Sequence, residues 1–224
     1  MCRRFSLSAG LDEVSNRFGI QQVMYYYKSR YNISPTQTMP VIVQEQGERK
    51  LDEYRWGLVP YWGKDAVNAD LITVDQNPTY RKAIETRRCI VPCNGLYYWR
   101  RVGKRSYAVR TVIGDHEMFG MAGLYETWRD ARGTEMRTCT VLMTEANEVI
   151  REFDQRMPAI LSEEDMGRWL DPEIKGRDAL QPLLRTYSGT MRIYPVTPMV
   201  ADDTHDHQQC IEEMDLKLAW VKNL

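Results

Sequence analysis

Short segments rich in β-branched and aromatic residues recur along the 224-residue chain, and they constrain its fold more than any other feature. Nine such segments are predicted to be strands: residues 40–44, 53–58, 89–92, 96–101, 107–113, 118–124, 137–143, 191–196 and 216–221. Many strands with a few short helices between them are typical of an α+β fold. We expect a β-rich domain with a curved antiparallel sheet or small barrel and short peripheral helices.

Five short helices are predicted between these strands: residues 11–18, 78–86, 145–153, 162–170 and 177–187. Gly19 supplies a C-cap after the first helix, and Pro78 occupies a first-turn position in the second. Ser162 and Asp165 resemble a capping box at the start of the fourth. Pro182 is expected to kink the fifth. No repeat, low-complexity tract or Pro/Ser-rich linker divides the sequence, so one domain over residues 1–224 is predicted.

The composition limits which cellular compartment and which binding partners can be predicted for this chain. The net charge of −1 gives no overall attraction to polyanions, although basic residues cluster between positions 81 and 110. No apolar run approaches the roughly 20 residues that a membrane-spanning helix needs, and no apolar leader opens the chain. The five cysteines are therefore predicted to be reduced thiols of a cytoplasmic protein, with no membrane association.

Cys2 follows the initiator Met, whose removal would leave an α-amine and a thiol on adjacent carbons. The amine has a pKa of about 7.7–8.0 and is partly neutral near pH 7. Arg3 and Arg4 are expected to ease ionisation of the thiol. Such a residue can trap an aldehyde, because the amine forms a Schiff base and the thiol closes a ring onto it. The alternative is a buried, unreactive terminal cysteine.

Seven segments follow one another in a consistent order: residues 1–5 (MCRRF), 31–37 (YNISPTQ), 55–62 (RWGLVPYW), 68–69 (NA), 88–92 (RCIVP), 122–128 (AGLYETW) and 154–161 (DQRMPAIL). Together they resemble the SRAP family (SOS-response-associated peptidase), whose members process abasic sites in DNA. The resemblance implies a β-rich α+β domain with a positively charged groove for single-stranded DNA. It also implies that Cys2 forms a thiazolidine crosslink with the ring-opened aldehyde of an abasic site.

Aromatic and basic side chains in these segments would supply stacking platforms and phosphate contacts. The predicted DNA-binding residues are Arg4, Asn32, Arg55, Trp56, Trp62, Trp99 and Arg156. A core position remains the alternative for some of the tryptophans.

The predicted catalytic set is Cys2, Asn68, Tyr98 and Asp154, and two of its members depart from the family pattern. Tyr98 stands where the family has Glu, and Asp154 where it has His. Tyr has a pKa of about 10 and is a poor base at neutral pH. Asp70 also replaces a family Arg, which would repel a nearby phosphate.

Two hypotheses follow from these departures. In the first, Cys2 and Asn68 still crosslink abasic single-stranded DNA, slowly and as a lyase-like enzyme. In the second, the chain is a degenerate paralogue that binds single-stranded DNA without crosslinking, so its enzyme status stays open. The peptidase of the family name would describe self-removal of Met1 alone.

Two further groups of residues, a possible metal site and a possible hydrolase site, are weaker candidates than the Cys2 site. Cys89-x-x-x-Cys93 nearly has the spacing of a metal-binding pair, but no second pair completes a four-ligand shell. No metal and no cofactor are therefore predicted. A Cys–His hydrolase would need Cys139 or Cys2 beside one of the histidines, His116 or His205, and it ranks last because no sequence pattern pairs them. The expected partner is single-stranded DNA with an abasic site, bound by a monomer.

Overall fold

The computed structural model describes residues 2–58, 67–114, 117–129 and 132–215. The strands within these ranges are β1 (Phe5–Leu7), β2 (Gln22–Val23), β3 (Arg30–Ile33), β4 (Thr38–Glu45), β5 (Glu48–Trp56), β6 (Asn68–Asp70), β7 (Arg88–Cys93), β8 (Gly95–Val102), β9 (Arg105–Ile113), β10 (Phe119–Arg129), β11 (Glu135–Glu145), β12 (Arg156–Pro158), β13 (Ile160–Leu161) and β14 (Met191–Pro195). The α-helices are α1 (Leu11–Phe18), α2 (Pro78–Thr86), α3 (Glu148–Arg151), α4 (Glu163–Leu170) and α5 (Arg177–Leu180).

Five strands close into a small barrel. Strands β5, β4, β7, β10 and β11 pair antiparallel in that order. The ring closes because β11 also pairs with β5 in parallel, with Thr138 opposite Arg55 and Cys139 opposite Trp56. Closure leaves these strands without a free edge. The predicted α+β class, with its curved sheet or barrel and short helices, is confirmed; the parallel closure was not predicted.

A second sheet, in the order β14-β9-β8-β1-β3, shares its inner face with the barrel. Side chains alternate along each strand, so one set from every strand enters a common interior cluster. Buried members of that cluster include Met39, Val41, Cys89, Val91, Leu96, Tyr98, Met121 and Val141. Helices α1, α2 and α4 cover the outer face of the barrel with Phe18, Ile84 and Trp169, among others.

The eight predicted strands that fall within the described residues are present, and the ninth, 216–221, lies outside them. Helices α1 and α2 have the predicted bounds, and Asp165 N donates to Ser162 Oγ (3.1 Å) at the predicted capping box. The prediction of a helix over 145–153 was too long, because Glu145 pairs with Arg156 in the sheet. The predicted helix 177–187 ends at Leu180 and continues as a 3-10 turn that contains Pro182. The strands that the sequence did not predict contain only two to four residues each.

Candidate functional site

Cys2 lies inside the molecule, next to the start of β1. Arg4 O accepts a hydrogen bond from Tyr97 N (3.1 Å), so the pairing of β1 with β8 continues toward the N-terminus. This pairing brings Cys2 beside Tyr98 in the interior cluster, where only 1% of Cys2 is exposed.

The environment of the Cys2 thiol contradicts the expectation that neighbouring arginines ease its ionisation. Burial raises the pKa of the thiol to about 12. Arg3 is exposed, and the Arg4 guanidinium donates instead to Asn32 Oδ1 (3.0 Å) and to the carbonyl of Ala201 (2.7 Å). Desolvation in the apolar interior is therefore the dominant influence on the pKa of this thiol, and the thiol is protonated at neutral pH.

Asn68 contacts Cys2 directly. It begins strand β6, which pairs in parallel with β11 with Asn68 opposite Val141. Its Nδ2 donates to the Cys2 carbonyl at 2.7 Å. Its Oδ1 is buried and has no hydrogen-bond partner among the described residues. The sequence-predicted pair is thus brought together, with one amide oxygen still able to accept a hydrogen bond.

Tyr98 presents a second buried polar atom at the same place. Its hydroxyl has no hydrogen-bond partner within the described part of the chain. Burial, and then the neighbouring Cys2 and Cys93 sulfurs, raise the pKa of Tyr98 well above its usual range. At neutral pH the Tyr98 hydroxyl is therefore protonated and can donate a hydrogen bond, but it cannot act as a base.

Asp154 is linked to this site through Phe153. The Phe153 and Tyr98 rings lie 6.2 Å apart, and Asp154 is the next residue in the chain. Asp154 is half-buried, and its Oδ1 accepts from Arg156 N at 3.1 Å. The carboxylate therefore supports the turn into β12, close to the Cys2 site.

The family model of the SOS response associated peptidase (SRAP) matches residues 1–203. The chain belongs to the SRAP family. It is 33% identical over 222 residues to the abasic site processing protein YoqW of Bacillus subtilis, covering 95% of this chain and 99% of that protein. Abasic site processing protein HMCES of Gallus gallus is 28% identical, over 85% of this chain and 68% of its own length.

A solved SRAP-like structure supports the fold. A protein from Bacteroides thetaiotaomicron superimposes with a TM-score of 0.82 at 25% sequence identity. The match covers 96% of this chain and 100% of that protein.

Three of the DNA-binding residues predicted for this SRAP chain lie in its interior or are engaged in internal contacts. Trp56 is fully buried, and its Nε1 donates to Val67 O (2.9 Å), so it occupies a core position. Asn32 is fully buried, and its Nδ2 donates to the carbonyls of Asp202 and His205. Together with the Arg4 contacts given above, these bonds hold the C-terminal segment against β3.

The other predicted DNA-binding residues are more accessible. Arg55 and Trp99 are partly exposed, and Trp99 packs against the outer side of the second sheet. Arg156 Nε forms an ion pair with Asp70 Oδ2 at 2.9 Å. Trp62 lies outside the described residues.

The Asp70–Arg156 pair was missed by sequence analysis. From the sequence, Asp70 is expected only to repel a nearby phosphate in place of a family Arg, whereas in the structure it forms an ion pair with Arg156. The sequence signal for this ion pair was that Asp70 and Arg156 carry opposite charges and lie two residues from Asn68 and Asp154, respectively. The pair connects the segment that carries Asn68 to the one that carries Asp154.

The metal and hydrolase alternatives gain no support. In the described ranges, no group of three or more His, Cys, Asp or Glu side chains is arranged to hold a metal ion. Cys139 Sγ lies 3.5 Å from Cys89 Sγ, and His205 packs its ring against His207. His116 is not among the described residues. No helix in the described part of the chain is long and apolar enough to cross a membrane.

Proposed function

We propose that this SRAP chain processes abasic sites in single-stranded DNA and that Cys2, once Met1 has been removed, forms a covalent thiazolidine crosslink with the lesion. The relatives named above as abasic site processing proteins support the substrate class. The observation that carries the chemistry is the 2.7 Å hydrogen bond from Asn68 to the Cys2 carbonyl. Two buried polar atoms without a hydrogen-bond partner in the described ranges, Asn68 Oδ1 and Tyr98 Oη, accompany that bond.

The proposed reaction has two steps. The ring-opened abasic sugar presents a C1′ aldehyde, and the Cys2 α-amine attacks it to form a Schiff base with loss of one water. The thiol then adds across the C=N bond: sulfur bonds to C1′, and the thiol proton ends on nitrogen. The product is a five-membered thiazolidine ring, and the reaction as written needs no metal or cofactor.

Asn68 Oδ1 and Tyr98 Oη can form hydrogen bonds with the reacting groups. A buried polar atom without a hydrogen bond costs about 1–3 kcal/mol, and bound ligand or water would remove that cost. Asn68 Oδ1 can accept from the amine or the opened sugar hydroxyl, while Tyr98 Oη donates. Asn68 Nδ2 meanwhile holds the Cys2 carbonyl and so orients the amine.

The same residues make the reaction slow. A positioned acid or base accelerates proton transfer by roughly 10²–10⁴-fold, and Tyr98 with its raised pKa supplies no base. Only 1% of Cys2 is exposed, so the N-terminal residues must move before DNA reaches the thiol. We therefore expect crosslinking over a longer time than its SRAP relatives need.

A binding-only function is the second candidate. It is favoured by the buried, protonated Cys2 thiol, which disfavours the covalent step while leaving binding possible. A monomeric state and a cytoplasmic location stay predictions under either candidate.

The test is incubation of the mature protein with single-stranded DNA carrying one abasic site, followed by a denaturing gel. We expect a slowly forming shifted band that is absent in Cys2→Ala. Cys93→Ala is the matched control, because it removes another buried thiol of the same cluster and should leave the band. No band from the unmodified chain, with intact binding to single strands, would establish the binding-only candidate instead.

A further inference from the structure

Strands β8 and β9 form a hairpin that extends past the edge of the second sheet. β8 pairs with β1 as far as Tyr97, whose N–H donates to Arg4 O (3.1 Å), and β14 pairs with β9 only over residues 109–113. Residues 100–107 lie beyond both of these pairings, and within the described ranges they pair only with each other. We call this projecting part of the hairpin the basic ribbon.

The basic ribbon concentrates positive charge where the sequence has no acidic residue. Arg100, Arg101, Lys104 and Arg105 are all exposed, and no Asp or Glu occurs in residues 87–114. Arg101, Lys104 and Arg105 form no ion pair with any residue that the structure describes. These three cations are therefore not neutralised within the protein and attract a polyanion.

The basic ribbon begins beside the Cys2 site and continues its inner face. Tyr98 lies in the interior cluster with Cys2. Side chains two residues apart lie on the same face of a strand, so Arg100 follows Tyr98 on that face. On the opposite strand the half-buried Tyr107 faces Arg100, and Arg105 comes next on the same face. An aromatic ring with cations on either side is a composition that proteins use to hold single-stranded nucleic acid.

Two cations that the sequence predicts as DNA contacts are engaged within the protein. The Arg4 guanidinium donates to Asn32 Oδ1, and Arg156 forms its ion pair with Asp70. A DNA strand at Cys2 therefore needs positive charge from another part of the surface. The basic ribbon supplies it, because it starts next to Cys2 and its charges are exposed.

We propose that the basic ribbon binds the phosphates of the single-stranded DNA that flanks the abasic site on one side. Four residues of strand beyond Tyr98 span roughly 13 Å at about 3.3 Å each, which is the rise of about four stacked nucleotides. The phosphates within about four nucleotides of the lesion then lie along the ribbon, and a base stacks on Tyr107. The inference rests on the proposed function for its DNA substrate. It adds a surface that orients the strand relative to Cys2.

The basic ribbon is tested with DNA that cannot react, so that binding is separated from crosslinking. Single-stranded oligonucleotides carry tetrahydrofuran, a stable abasic analogue without an aldehyde, and binding is followed by fluorescence anisotropy. The ribbon variant combines Arg101→Gln, Lys104→Gln and Arg105→Gln. Each phosphate contact contributes about 0.7 to the slope of log affinity against log salt, so the loss of two or three contacts should reduce that slope by about 1.4 to 2.1. An unchanged slope would overturn the proposal.

The matched control removes the same charge from the outer face of the barrel. Arg81 and Lys82 lie on α2, and Lys175 precedes α5; all three are exposed and form no ion pair among the described residues. Their combined replacement by Gln should leave the salt slope nearly unchanged. Equal reductions in the control and in the ribbon variant would show that only net charge matters, and the proposal would fail.

Shortening the DNA locates the contact. For the unmodified protein, trimming one flank of the lesion to a single nucleotide should weaken binding more than trimming the other flank. The ribbon variant should lose this difference, and its persistence there would contradict the proposal. Cations on exposed strands also keep sheet edges from pairing with other chains. If the ribbon variant self-associates in size-exclusion chromatography with unchanged DNA affinity, edge protection is the role of these residues and the proposal fails.

The outcome separates this inference from the proposed function. Crosslinking to natural abasic DNA at saturating protein tests Cys2 and not the basic ribbon. If the unmodified chain crosslinks while the ribbon variant binds tetrahydrofuran DNA with an unchanged salt slope, the ribbon proposal fails and the proposed function stands. If no crosslink forms while the ribbon still controls the salt slope, the covalent step fails and the ribbon proposal stands.

Discussion

The burial of Cys2 makes a quantitative prediction about its reactivity. With its pKa raised to about 12, roughly one thiol in 10⁴ is ionised at pH 8. An ordinary cysteine with a pKa of about 8.5 is ionised to roughly one part in four at that pH. Because the thiolate is the nucleophile, alkylation of folded Cys2 should be on the order of 10³-fold slower than in the unfolded chain.

Iodoacetamide labelling followed by mass spectrometry measures this rate. Cleavage after Glu13 releases an N-terminal peptide in which Cys2 is the only cysteine. The logarithm of the labelling rate should rise with a slope of one from pH 7 to pH 10, without a plateau. The same peptide labelled in urea provides the reference and should level off near pH 9.

A plateau near pH 8.5 in the folded protein would refute this reasoning. It would mean that the thiol ionises as it does in water and that only steric access slows the reagent. A slope of one would show that the thiol is protonated throughout this pH range, which is consistent with the proposed first attack by the Cys2 amine. The raised pKa also carries a stability consequence. The folded-state pKa exceeds the unfolded value, so the contribution is complete below about pH 8.5 and is lost as the pH rises toward 12.

Three substitutions test other parts of the structure. Tyr98→Phe removes an unpartnered buried hydroxyl, so urea unfolding should show a gain of about 1 kcal/mol while crosslinking slows; a loss of stability would reveal a hydrogen bond to that hydroxyl. Asp70→Asn frees Arg156 from its 2.9 Å ion pair, and anisotropy at low salt should show affinity for single-stranded DNA rising roughly threefold; unchanged affinity would exclude Arg156 from the DNA path. Gly123→Ala places a methyl group 2.9 Å from a buried cysteine sulfur, which should lower the free energy of unfolding by about 1–3 kcal/mol. Gly10→Ala, with nothing within 4 Å of its added methyl, is the control. Gly10 is the N-cap of α1, and the loss of N-cap preference is offset by the lower entropy of the unfolded chain, so the net change should be only a few tenths of a kcal/mol; equal losses would show that crowding is not the cause.

Local signals predicted the regular elements well. The bounds of α1 and α2 follow from local sequence, since Gly19 ends the first helix in a left-handed conformation and Asn77 caps the second through its side chain. The long strands β9 and β11 were likewise found from their β-branched and aromatic residues. Strands of two to four residues, such as β6, carry too few side chains for a period to show, and they form because longer neighbours offer them hydrogen-bond partners.

The residues of the candidate site also fall into two groups, those that sequence motifs predict and those whose surroundings only the structure shows. Sequence motifs predicted Cys2 and Asn68 as a pair, and the family resemblance places Tyr98 and Asp154 at the positions where the family has Glu and His. They left open whether Trp56 faces DNA or the core, and the structure buries it completely. A tryptophan next to an arginine in the sequence does not indicate whether its side chain faces DNA or the core, because burial depends on which side of the strand meets the second sheet.

The sequence by itself determined the family and the fold class, and it predicts the aldehyde-trapping chemistry proposed for Cys2, since these depend on residue types and their order. Only the tertiary structure decided that the Cys2 thiol is desolvated, that Asn68 holds its carbonyl and that Asp70 neutralises Arg156. Each of these depends on strands far apart in the chain meeting in one interior. A pKa, a hydrogen bond and an ion pair are properties of such surroundings, and no local pattern of residues specifies them.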